Sequence, residues 1–169
     1  MGTRRIPAWI AVVAVALALA AAGCGGSSSR SAPQGGVAGA THVVKGATVQ
    51  TRKIGKLGTV LVNSRGFTLY MFVPDKQKRV TCTGQCAVIW PPLKIKAGQK
   101  PTAGGAARKA LLGTDKNPSG GRVVTYNRWP LYTYISDRRP GQATGQAIKL
   151  NGGYWYVLSP AGKVIKTKP

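Results

Sequence analysis

Apolar residues are distributed along this chain in three different ways. Residues 8–22 form an apolar run with no charge inside it. At about 15 residues it suits the apolar core of an export signal and falls short of the roughly 20 that a spanning helix needs. Residues 25–54 are mostly Gly, Ser, Ala, Thr and Val with scattered Lys and Arg and no period, which is the composition of a flexible linker. From residue 55 onward, short β-prone runs alternate with Gly and Pro punctuation, and this pattern predicts strands. Residues 59–62 read as one strand, Asn63-Ser64-Arg65-Gly66 as a turn and residues 67–72 as the next strand, which Pro74 ends. Residues 123–126, a turn through Asn127-Arg128 and residues 130–137 repeat the arrangement, and residues 106–112 predict one short helix.

The recurrence extends to individual residues. Leu69-Tyr70-Met71-Phe72-Val73-Pro74-Asp75 aligns with Leu131-Tyr132-Thr133-Tyr134-Ile135-Ser136-Asp137. Two of the three acidic residues of the chain thereby occupy equivalent places. A Trp-bearing segment follows each copy, around Trp90 and around Trp155, and the two tryptophans read as packing aromatics. Self-similarity of this kind marks a fold built from repeats. The expectation is one mainly β domain over residues 55–169, made of two related antiparallel halves with little helix, at about 58–95 and 121–165.

Arg4 and Arg5 before the apolar run, and Ala21-Ala22-Gly23-Cys24 after it, complete an export signal over residues 1–23. The small residues before Cys24 resemble a lipobox, which makes Cys24 the lipidated N-terminus of the mature chain. An ordinary secretory signal with a chance cysteine is the alternative. Two or more acyl chains hold a protein stably on a membrane. The expected place is therefore the outer face of the cytoplasmic membrane, with residues 24–54 as the tether. The sole histidine, His42, falls in that tether, where solvation is its ordinary state.

Charge narrows the partners. The chain has 25 Lys and Arg against 3 acidic residues, a formal net charge of +22. Beside a membrane such a balance points to anionic lipids and anionic envelope polymers. Nucleic acid is not expected, because no nucleic-acid-binding motif is present. The oligomeric state is not legible.

Candidate chemistry is sparse. Strand alternation puts Tyr70 with Phe72, and Tyr132 with Tyr134, on one face. Those pairs read either as a stacking surface for a flat ligand or as cross-strand packing. Asp75 and Asp137 read either as a metal or acid–base pair or as turn-fixing carboxylates. A strongly cationic surround is expected to keep both ionised. With Cys24 assigned to lipid, Cys82 and Cys86 remain, and they admit a structural disulfide, a redox pair or a metal or haem ligand. The sequence contains no nucleophile–base set, phosphate loop or zinc motif, so neither an enzyme nor a resident cofactor or metal is expected. The function expected is a non-enzymatic envelope binding or scaffold module. The alternative is an extracytoplasmic redox or electron-transfer protein using Cys82 and Cys86, with or without haem or a metal.

The repeated Tyr-x-aromatic-x-x-Asp motif, with Cys82-Thr83-Gly84-Gln85-Cys86-Ala87 and Trp90-Pro91-Pro92-Leu93, resembles a bacterial family of predicted lipoproteins, the secreted repeat of unknown function. The likeness covers roughly residues 58–165. It includes Leu111-Leu112-Gly113-Thr114, Val124-Thr125-Tyr126-Asn127, Pro140-Gly141 and Trp155-Tyr156-Val157-Leu158. Arg128-Trp129 departs from the small-polar or histidine pair that often precedes Pro-Leu-Tyr. The resemblance implies export and a repeat structure. It also links some members with haem contact and envelope electron transfer.

Overall fold

The first strand lies inside the segment whose composition reads as linker. In the computed structural model, which describes residues 2, 48–76 and 79–169, strand β1 runs Val49–Ile54 and pairs antiparallel with β2, Gly58–Asn63. The linker expected to reach residue 54 therefore ends before residue 49. Its polar composition misleads because Gln50 and Thr51 are buried despite their polarity, while Arg52 and Lys53 alone face water. Apart from Gly2, the signal over residues 1–23, Cys24, His42 and the tether to residue 47 lie outside the described residues.

The remaining strands are short. β3 is Tyr70–Phe72, β4 Lys94–Ile95, β5 Leu112–Lys116, β6 Arg122–Tyr126 and β7 Trp129–Pro130. β8 is Ile148–Leu150, β9 Gly153–Leu158 and β10 Val164–Ile165. Among the described residues one α-helix, α1, spans Gln85–Ile89. Residues 67–69 do not extend β3 as expected; they fold back on β2 through a Val62–Thr68 bridge and a Leu69 N–H···O=C Leu61 bond. The strand expected over residues 130–137 is likewise reduced to β7 and to bridges from Tyr132 to Tyr70 and Pro92. Of the helix expected at 106–112, a single 3-10 turn at Lys109–Leu111 forms, and β5 starts immediately after it.

The pairs among these strands are all antiparallel, and they arrange the described residues from 49 to 165 as two copies of one plan. β1–β2 and β5–β6 are the opening hairpins of the two repeats. Each repeat thus begins one strand earlier than the boundaries at 58 and 121. The sheets cross between repeats: β3 of the first pairs with β9 of the second, and β4 of the first with β6 of the second. At the centre, Tyr70 and Tyr132 exchange both backbone bonds, with N–H to O distances of 2.8 and 2.9 Å. The strand period then divides the interior as alternation requires. Tyr70, Phe72 and Tyr132 enter an aromatic cluster with Trp90 and Trp155, while Leu69, Met71 and Leu131 enter an aliphatic one with Leu61 and Val124.

Candidate functional site

The motif residues converge on the boundary between the repeats, and they do so reciprocally. The Tyr70 hydroxyl, from the first repeat, donates to Asp137 Oδ2 of the second at 2.7 Å. The Tyr132 hydroxyl, from the second, donates to Asp75 Oδ2 of the first, also at 2.7 Å. The other oxygen of each carboxylate holds a threonine of its own repeat. Thr81 donates its N–H and hydroxyl to Asp75 Oδ1 at 2.8 and 2.6 Å, and Thr144 does the same to Asp137 Oδ1 at 2.8 and 2.7 Å. All four carboxylate oxygens are therefore occupied by protein donors.

Both tyrosines are fully buried, and Asp75 and Asp137 are 0% and 5% exposed. Burial, reinforced by the facing carboxylate, drives both hydroxyls far above the ordinary tyrosine range. Burial also raises Asp75, against the opposing pull of its bonds from Thr81 and Tyr132. This differs from the expectation of a carboxylate held ionised by surrounding cations. The cations stand on the surface, while desolvation acts at the carboxylate itself.

A column of four rings lies beside these bonds. Phe72 stacks on Trp155 at a centroid separation of 4.1 Å, Trp155 on Trp90 at 3.8 Å and Trp90 on Tyr134 at 4.1 Å. Phe72 and Tyr134 are repeat equivalents, as are Trp90 and Trp155, so the column reads the same from either end. Tyr70 meets Trp90 edge-on at 5.4 Å, and Tyr132 meets Trp155 at 5.3 Å. Three of the four stacked rings are buried and Tyr134 is half-buried, so the aromatic pairs pack against the two tryptophans. The repeats differ in one detail. Trp155 Nε1 donates to Leu150 O, whereas buried Trp90 Nε1 has no partner among the described residues.

Cys82 and Cys86 are joined in a disulfide with Cα atoms 5.2 Å apart. Cys82 is buried in the aromatic cluster, and Cys86 is half-buried against it at the start of α1. Among the described residues no three of His, Cys, Asp and Glu come together as metal ligands would. Sequence reasoning missed Thr81 and Thr144. Their signal was present, since a threonine follows the motif Asp by 6 residues in one repeat and by 7 in the other.

A family model described as "Secreted repeat of unknown function" matches residues 51–94 and 113–159. Those two spans coincide with the structural repeats, opening hairpin included. No curated protein and no solved structure matches the chain.

Proposed function

We propose, from the premise that this chain belongs to the family of secreted repeats of unknown function, that it is a non-enzymatic, lipid-anchored module binding anionic material of the cell envelope. The observation that carries this reading is the inward direction of the motif. Its hydroxyls and carboxylates satisfy one another in the interior, so the motif builds the scaffold and binding is left to the exterior. That exterior is cationic, because the two motif carboxylates are buried and 25 basic residues face 3 acidic ones in the whole chain. Near an anionic surface a cation contributes about 1 kcal/mol, and the effect dies within a Debye length of about 8–10 Å. A tether that keeps the domain at the membrane makes such short-range attraction effective.

Two measurements test the reading. Radiolabelled palmitate should incorporate into the wild type and not into Cys24→Ser; label persisting in that variant would remove the anchor. Binding of the full chain to anionic vesicles or envelope polymers should weaken steeply with salt and be indifferent to Cys82→Ser/Cys86→Ser.

A second reading rests on one observation, the half-exposed Cys86 in a disulfide otherwise sunk in the core. An extracytoplasmic redox role needs a labile pair. Structural disulfides hold potentials below about −300 mV, and titration in thiol buffers with mass detection places this one on either side of that line.

A further inference from the structure

The two repeats differ again at their opening hairpins, and the difference leaves donors unclaimed in the first. A hollow of about 110 Å³ lies beside the β1–β2 hairpin, with Gln50, Thr51 and Val62 buried in its wall and Arg52, Ser64 and Arg65 exposed around it. At roughly 30 Å³ for each water, that is room for one small group. Arg52 is held in place: a Cβ on Gly66 would stand 3.1 Å from its Nη2, and one on Gly141 3.7 Å from its Nη1. Its guanidinium thus lies against a turn of each repeat, and Thr68 Oγ1 ties those turns together by donating to Gln142 O. The Arg65 guanidinium stands over the Phe67 ring at 5.5 Å. Neither guanidinium has a hydrogen-bond or ion-pair partner among the described residues. Gln50 is 2% exposed, and its amide Nε2 is also buried without a partner there. Backbone amides of the turn, in contrast, are taken, since Asn63 Oδ1 accepts from the N–H of Arg65 and of Phe67. Strand pairing identifies the counterparts in the second repeat. Gln50 opposes Val62 as Thr114 opposes Val124, so Gln50 corresponds to Thr114 and Arg65 to Asn127. There the Thr114 hydroxyl accepts from Arg122 Nε, and Asn127 Nδ2 donates to Gly162 O. Polar groups that are engaged in the second repeat are replaced in the first by donors that no protein acceptor meets.

We infer that this hollow holds one small oxyanion, bound by the guanidinium forks of Arg52 and Arg65 and the Ser64 hydroxyl, with the Gln50 amide as the donor from its wall. A buried donor without an acceptor is costly, and native interiors rarely keep one. An acceptor entering the hollow relieves that cost. None of the three acidic residues of the chain lines the hollow, so the acceptor comes from outside the protein. Guanidinium forks pair with carboxylate and phosphate alike, and the ligand class is therefore the oxyanion group that the two share. The size of the hollow limits it to a single such group. The inference shares with the proposed function only the sign of the ligand's charge, and it holds whether or not the chain is lipid-anchored.

Calorimetric titration of the purified full chain with inorganic phosphate, and separately with acetate, tests the site. Saturable one-to-one binding of at least one of the two is expected. R52Q/R65Q should weaken it about tenfold, from two ion contacts at roughly threefold each. K149Q/K163Q, with the same loss of charge outside the hollow, should change it by less than about twofold. Q50M keeps the size of the side chain and removes its donor. It should weaken binding by roughly threefold to tenfold, while the unliganded chain melts no lower than wild type because an unpartnered buried donor has gone. A lower melting temperature with unchanged affinity would make Gln50 a packing residue and overturn the site. Equal weakening by the two charge variants would mean diffuse attraction and overturn it too, as would saturation by neither anion. Phosphatidylglycerol vesicles bound alike by wild type and R52Q/R65Q, with neither small anion bound, would overturn this site while the envelope reading stands. A chain that binds phosphate through Arg52 and Arg65 but ignores such vesicles supports the site and overturns that reading instead.

Discussion

Each motif tyrosine is fixed by a carboxylate from the other repeat, and that pairing sets how the fold responds to pH. Tyr70 and Tyr132 have folded pKa values raised by burial and by the facing carboxylate. A group raised in the folded state gives stability that is fully present below its unfolded value, about 10 for tyrosine, and is lost as pH climbs above it. Denaturant titrations from about pH 8 to 11 should show stability falling steeply in the wild type and much less in Tyr70→Phe/Tyr132→Phe; equal slopes would sink the assignment. Asp75, also raised by burial, has the same sign lower on the scale. Its ionisation weakens the fold as pH rises through its folded value, so the wild type should gain stability relative to Asp75→Asn as pH falls from neutral towards about 4. At neutral pH, Tyr70→Phe leaves Asp137 Oδ2 short of its donor inside the protein, at a cost of about 1–3 kcal/mol in urea unfolding. The sequence made these residues stand out through their recurrence. It could not reveal that each bond joins opposite repeats, because spacing along a chain does not say which copy a side chain faces.

Among the elements, the opening strand of each repeat was the least legible. β1 and β5 carry Gln, Thr, Lys, Arg and Asp, so neither shows the apolar alternation that reveals a strand. They form because β2 and β6 offer them complete antiparallel partners, a contribution that no local pattern records. The segments around Trp90 and Trp155 were legible as packing elements, but not as two halves of one ring column. That column is tight at both ends. A Cβ on Gly145 would stand 2.6 Å from Trp90 Cη2 and 3.0 Å from Tyr134 Cδ1, and one on Gly153 would overlap Pro74 and stand 2.9 Å from Phe72 Cε2. Neither glycine has positive φ, so substitution acts through space alone. Gly145→Ala and Gly153→Ala should each lower stability by about 1–3 kcal/mol and change the near-ultraviolet dichroism of the stacked indoles. Unchanged spectra and stability in both variants would mean that the column is loosely packed.

For the molecule as a whole, the crossed sheets imply that neither repeat can complete itself. Alone, the first lacks β9 for β3 and β6 for β4, and it leaves Tyr70 and Asp75 without Asp137 and Tyr132. Alone, the second loses the same contacts from the other side, and its Trp155 loses the Phe72 and Trp90 rings that sandwich it. Buried tyrosine and aspartate stripped of their partners are costly to keep dry, so each half should stay open in solution. The segment joining the repeats is the place to cut, because apart from Gly104 residues 102–109 are exposed or half-exposed. Halves comprising residues 48–107 and 108–169 should be poorly structured when separate. Mixed one to one, they should recover the near-ultraviolet signal of the stacked tryptophans and a single cooperative unfolding transition. Tyr70→Phe or Asp75→Asn in the first half should weaken that assembly, since the Tyr–Asp pairs would then act between two chains as they now act between two repeats. A half that unfolds cooperatively as a monomer would show that the repeat is a self-sufficient unit. In that event the exchanged hydrogen bonds would only join two finished domains, and the interlock would not be the basis of the fold.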